Sequence, residues 1–216
     1  MARPKIPRKS TSIDMTAMCD VAFLLLSFFI LTTKFKPSEA ITVTTPNSVA
    51  AKAAPDKDIV LVTIDRNGKV FLSMDNDQVK SSIADVLNTT RNLGINKAAF
   101  VKAQFIGASF SQLASFLQVP EENRKGDALL GIPTDSTKGS NEMVDWVRYV
   151  VDAYQGKKMN LLVKGDNLAK YPAFKAVIDA FKKNEQLKFQ MVTNPESVPI
   201  GSELWKNNMK GEKRDD

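Results

Sequence analysis

Residues 13–33, IDMTAMCDVAFLLLSFFILTT, constrain this chain more than any other stretch. From Val21 to Leu31 every residue is apolar except Ser27, and the run can be extended to Met15 and Thr33. As a helix that length spans about 28 Å, just enough for a hydrocarbon core of roughly 30 Å. Three readings compete: a membrane-spanning helix, the core of a signal peptide, or a buried helix of a soluble protein. The flanks favour the first. A basic tail precedes the run, as it does for anchors whose N-terminus stays cytoplasmic. Lys34 and Lys36 follow it, and the small-x-small triplet Ser38-Glu39-Ala40 lies behind Pro37, a poor place for cleavage. A soluble helix should keep a polar face, whereas Phe23 to Leu31 is apolar all round apart from Ser27. The expected organisation begins with a cytoplasmic tail, 1–14, and a transmembrane helix, 15–33.

Asp20 sits near the start of that helix and is its only acidic or basic side chain. An ionised aspartate in the bilayer core costs about 3 kcal/mol on insertion scales, so such residues usually face protein or water and mark an ion path. A carboxylate resting among headgroups is the plainer alternative.

Charge and composition narrow the function classes. The chain carries a formal +6. Arg3, Lys5, Arg8, Lys9, Lys34 and Lys36 against Asp14, Asp20 and Glu39 leave +3 in the first forty residues. That excess fits a membrane flank, and no basic stripe with interleaved aromatics suggests nucleic-acid binding. Cys19 is the only cysteine, which excludes an internal disulfide and a cysteine zinc cluster. There is no histidine, so imidazole shuttles, His-ligated metals and Ser/His or Cys/His pairs are excluded. No cofactor, no metal and no enzyme activity are expected.

Residues 34–58, with Pro37, Pro46 and Pro55, read as an extended or flexible linker. IVLVTID, 59–65, and KVFLSM, 69–74, flank Asn67-Gly68 as a hairpin. Gln78 to Leu93 reads as a helix with Val79, Ile83, Val86 and Leu87 on one face. A strand is expected over 97–105, a short helix over 110–117 and mostly loop over 119–138. A longer helix follows from about Ser140, as cap, to Tyr154. MNLLVKGD, 159–166, leads through a helix from Pro172 to Lys183 into LKFQMVT, 187–193. That order predicts an α/β domain over 59–193, a mixed sheet with helices packed on one face, followed by a loose tail, 194–216. Lys164-Gly165-Asp166 reads first as turn chemistry and second as a site. Glycines form no phosphate-binding loop, and no nucleophile stands with a base.

IDMTAMCDVAFLLLSFF behind a basic tail resembles the ExbD/TolR family, whose hallmark is an Asp-Val pair entering an apolar helix after a hydrophobic-polar-hydrophobic-Thr-Pro stretch. Here the pair is Asp20-Val21 and the threonine is Thr16, with Ala17 where proline is usual. Residues 159–193 are similar to the strand, charged turn, helix and final strand of the family's periplasmic domain, and 59–72 to its first hairpin. Residues 88–157 stand as a family-atypical central insertion. Ile41-Thr42-Val43-Thr44-Thr45-Pro46 replaces the usual aliphatic-Leu-Pro linker motif.

The resemblance implies a single-pass protein of the bacterial inner membrane with a periplasmic C-terminal domain. It implies a homodimer inside a ring of an ExbB/TolQ-like multi-helix subunit, driving a TonB/TolA-like protein with proton flow. Asp20 would carry the proton, with Thr16 and Ser27 supporting a hydrated path, and Val43, Pro46 and Met191 would touch a partner peptide. Each proton crossing ~100 mV releases about 2.3 kcal/mol, comparable to the insertion cost above, so protonation would switch the environment Asp20 prefers. The resemblance leaves the client open among uptake, envelope-integrity and motility or secretion systems. A tethered periplasmic binding module without proton conduction is the rival reading. Flagellar stator proteins, with an Asp at a similar helix start, rank behind because their wall-binding domains order strands and helices differently.

Overall fold

The computed structural model of the chain describes residues 15–32, 41–49, 54–124, 129–134 and 141–209. It divides into two compact units, Met1–Glu39 and Ala40–Asp216. The first contains α1, Met15–Thr32, none of whose residues is buried. Among the described residues it is the one helix long and apolar enough to cross a membrane. Thr33 and the tail 1–14 lie outside the described residues.

The second unit runs in the order β1 (Asn47–Ser48), β2 (Ile59–Ile64), β3 (Val70–Met74), α2 (Asp77–Arg91), α3 (Lys97–Lys102), α4 (Leu113–Gln118), α5 (Glu142–Ala153), β4 (Asn160–Gly165), α6 (Tyr171–Lys183), β5 (Gln190–Met191), β6 (Asn194–Pro195) and α7 (Glu203–Met209). Four strands form a mixed sheet in the order β3-β2-β4-β5. The β2–β3 hairpin is antiparallel, with Val62 opposite Leu72, and β4 is parallel to both β2 and β5. Val60, Val62, Ile64, Val70, Leu72 and Val163 share one core with Ile83 and Leu87 of α2, Trp146 and Val150 of α5, and Val177 and Phe181 of α6. Phe71 belongs to a smaller cluster with Phe105 and Leu129.

Asparagine caps account for the starts of α2, α3 and α5. Asn76 accepts from the N–H groups of Gln78 and Val79 at the start of α2. Asn141 accepts from Met143 at the start of α5, the role expected of Ser140, which lies outside the described residues. Trp146 is fully buried and stacks between Phe100, 6.3 Å between centroids, and Phe110, 4.8 Å. Val86, expected to face inward on α2, is 43% exposed.

Several expectations need correction. Residues 97–105 do not form a strand: Asn96 caps α3, which directs Phe100 and Ala103 into the core. Only Ile106 extends a bridge, to Leu72. The loop after Val119 contains a 3-10 turn at Glu121–Asn123, and Ile132 bridges to Val70. The final strand is regular only over Gln190–Met191, with the Val192 N–H donating to the Val163 carbonyl at 2.8 Å. The tail is less loose than expected, since β6 pairs in parallel with β1 and α7 follows. Trp205 is half-buried there.

Candidate functional site

Two regions hold the residues singled out from the sequence. The first is α1. Asp20 lies in its second turn, and at ~100° per residue Thr16 and Ser27 fall within about 40° of it around the helix. These three polar side chains thus share one stripe of a mostly apolar helix. Ser27 donates its hydroxyl to the Leu24 carbonyl at 2.9 Å, and Thr32 donates to Phe28 at 2.7 Å. Both serve their own helix, a common use of hydroxyls in apolar surroundings.

The second region joins the linker to the far side of the domain. The Thr44 N–H donates to Asp166 Oδ2 at 2.9 Å, and the Asn167 N–H donates to the Thr44 carbonyl at 2.8 Å. Thr45 Oγ1 donates to Asn194 Oδ1 at 2.8 Å, and Asn194 Nδ2 returns a bond to the Thr45 carbonyl at 3.1 Å. The Asn194 N–H meets the Pro46 carbonyl at 2.9 Å. Residues 44–48 therefore lie as a strap between the turn after β4 and the strand after β5. Asp166, 7% exposed, also accepts from the Leu168 N–H at 2.9 Å. The bonds from Leu168 and Thr44, aided by the charge of Arg66, hold its carboxyl below the usual range despite its burial. Turn chemistry thus explains Lys164-Gly165-Asp166.

Pro46 is brought to the segment that carries Met191, which is 47% exposed on the edge strand β5, and Val43 is half-buried immediately before the strap's threonine pair. Asn194 and Thr45 escaped the sequence reading. The available signal was an Asn-Pro pair directly after a strand, a place where an amide often ties backbone. Among the described residues no cluster of three or more acidic or cysteine side chains could hold a metal ion.

A protein-family model described as biopolymer transport protein ExbD/TolR matches residues 7–196. The chain belongs to the ExbD/TolR family. No match is found among curated proteins or solved structures. ExbD/TolR proteins are non-enzymatic subunits associated with biopolymer transport, and in general they work with ExbB/TolQ-type and TonB/TolA-type partners. The N-terminal apolar helix and the mixed α/β domain are the architecture of that family.

Proposed function

We propose that this ExbD/TolR protein converts proton flow into mechanical work, with Asp20 as the proton carrier of its membrane helix. One observation carries the reading: Asp20 is the only acidic or basic side chain of α1, and it shares one stripe of the helix with Thr16 and Ser27. Neutralising the carboxylate removes most of its penalty in an apolar setting, and ionising it restores a preference for water. A helix that alternates between those states beside a ring subunit has a reason to step. In this reading residues 1–14 are cytoplasmic, 15–33 span the inner membrane, and 34–58 tether a periplasmic domain over 59–193 with a C-terminal tail. Two copies would sit within an ExbB/TolQ-like ring and energise a TonB/TolA-like protein. Val43, Pro46 and Met191 would contact that protein's peptide, because an edge strand such as β5 offers backbone groups for strand addition.

The test is Asp20→Asn, made with membrane insertion and co-purification of ring subunits verified. Proton-dependent uptake or envelope function should fall to background while the complex still assembles. Normal rates in that variant would overturn the carrier role.

A further inference from the structure

A cleft of about 600 Å³ opens between the β2–β3 turn and the start of α6. Lys69 lines it from the turn, and Lys170 and Lys175 from the helix, against a single acid, Asp179, among the described lining residues. Lys170 and Lys175 are exposed and have no ion-pair partner among the described residues. Gly68, at φ +81°, brings the turn to within 3.2 Å of Ala173 Cβ on α6, measured from where a side chain at 68 would begin. Asn67 and Thr134 add neutral polar groups, apolar residues line the remainder, and Leu130, 64% exposed, stands among them.

The charges are arranged against the stability of the helix they flank. The N-cap of α6 is Lys170, which makes no side-chain cap, and the first turn holds no acid. Helix starts normally favour carboxylates, because the dipole and the unpaired N–H groups there are positive. A lysine at the N-cap costs stability unless a negative group arrives from outside.

We propose that this cleft binds an acidic segment of a partner polypeptide, with carboxylates on Lys170 and Lys175, Lys69 adding positive charge from the turn, and an apolar side chain beside Leu130. A segment fits better than a small oxyanion. The volume is that of a ligand pocket for several residues, the lysines stand on two different elements, and the exposed leucine is matched only by a ligand with apolar groups. Ion pairs at such a surface give modest, salt-sensitive affinity. The inference is independent of the proton role of Asp20, and an Asp20→Asn chain should bind as the parent does.

The experiment uses the full chain in lipid nanodiscs and a fluorescent, end-blocked hexapeptide of alternating glutamate and leucine, read by anisotropy. Binding should weaken as salt rises. Lys170→Glu with Lys175→Glu should lower affinity by at least about tenfold while the chain keeps its helical circular dichroism. Lys170→Gln with Lys175→Gln, which removes the charges without reversing them, should weaken binding in the same direction. Undiminished binding by either pair overturns the proposal. So does equal affinity for a glutamine-leucine peptide, or displacement of the acidic peptide by inorganic phosphate at equal concentration.

Discussion

Asp166, the residue after β4, ties two stretches of chain together with one carboxylate: its own turn through Leu168 and the linker through Thr44. Bonds to a charged acceptor are worth more than neutral ones, and a buried N–H left without its acceptor costs about 1–3 kcal/mol. Asp166→Ala should therefore destabilise the domain by about 2–3 kcal/mol and lower Tm by roughly 4–10 °C. The pH dependence has a definite sign. Because the folded carboxyl titrates below its unfolded value, its stabilisation is complete above the ordinary aspartate range near ~4 and is lost as pH falls through the folded value. Glu142 has the opposite sign. Burial raises its carboxyl in spite of the bond from the Phe110 N–H, so acid favours its folded form. Subtracting the variant's stability from the parent's isolates Asp166, and that difference should shrink below about pH 4. A difference that stays constant into acid would show that the carboxylate's charge contributes nothing. The sequence marks Asp166 as turn chemistry, but its bond to Thr44 crosses 122 positions. Nothing in the local pattern at either end announces such a pairing.

At the scale of elements, periodicity told most where it ran long enough. The Asn67-Gly68 hairpin and helices α2, α5 and α6 follow from alternation and helical spacing within their own segments, helped by a cap at α2 and α5 and by Pro172 at the start of α6. α3 does not, because six residues give too short a window to separate a helical from an alternating pattern, and Phe100, Val101 and Phe105 suggest a strand when read alone. The decisive features are the Asn96 cap and the Phe100–Trp146 stack, and the second is a tertiary fact. Asp20, Thr16 and Ser27 were readable because one helix carries all three, whereas the lysines of the cleft come from two elements and only folding assembles them. Residues 106–107 and 131–132 make the outer partner of β3, where a free edge would invite pairing with other chains. Gly107 is required there: its carbonyl accepts the Gly131 N–H at 3.0 Å, and a side-chain carbon at 107 would lie 2.4 Å from Phe71 Cδ1. Gly107→Ala should cost about 1–3 kcal/mol, measured as a lowered midpoint of denaturant unfolding at unchanged slope. Phe71→Leu in the same chain should recover part of that loss, since the two positions share one contact.

Taken whole, the molecule joins two units with opposite solvent preferences. The first exposes Phe23, Leu24, Leu25, Leu26, Phe28, Phe29, Ile30 and Leu31 along one helix, each more than half exposed, an apolar surface that water tolerates poorly. The second buries Val62, Ile64, Ile83, Leu87, Trp146 and Val177 completely or nearly so, and its core contains no described residue of α1. A chain starting at Ala40 keeps the strap, all four strands of the main sheet and every core residue, so its folding free energy should change little. It is expected to move from the membrane fraction to the soluble fraction, to retain its helical circular dichroism, and to unfold within about 2 °C of the domain transition seen for the full chain. Starting instead at Ile59 removes Thr44 to Ser48 and with them the bonds to Asp166, Asn167, Asn194 and Glu196. That shorter chain should stay folded but lose stability by at least the amount expected for Asp166→Ala. Equal stability of the two truncations would mean that the strap is held without contributing to the fold. A loss of all structure in the longer one would mean that the domain depends on the helix.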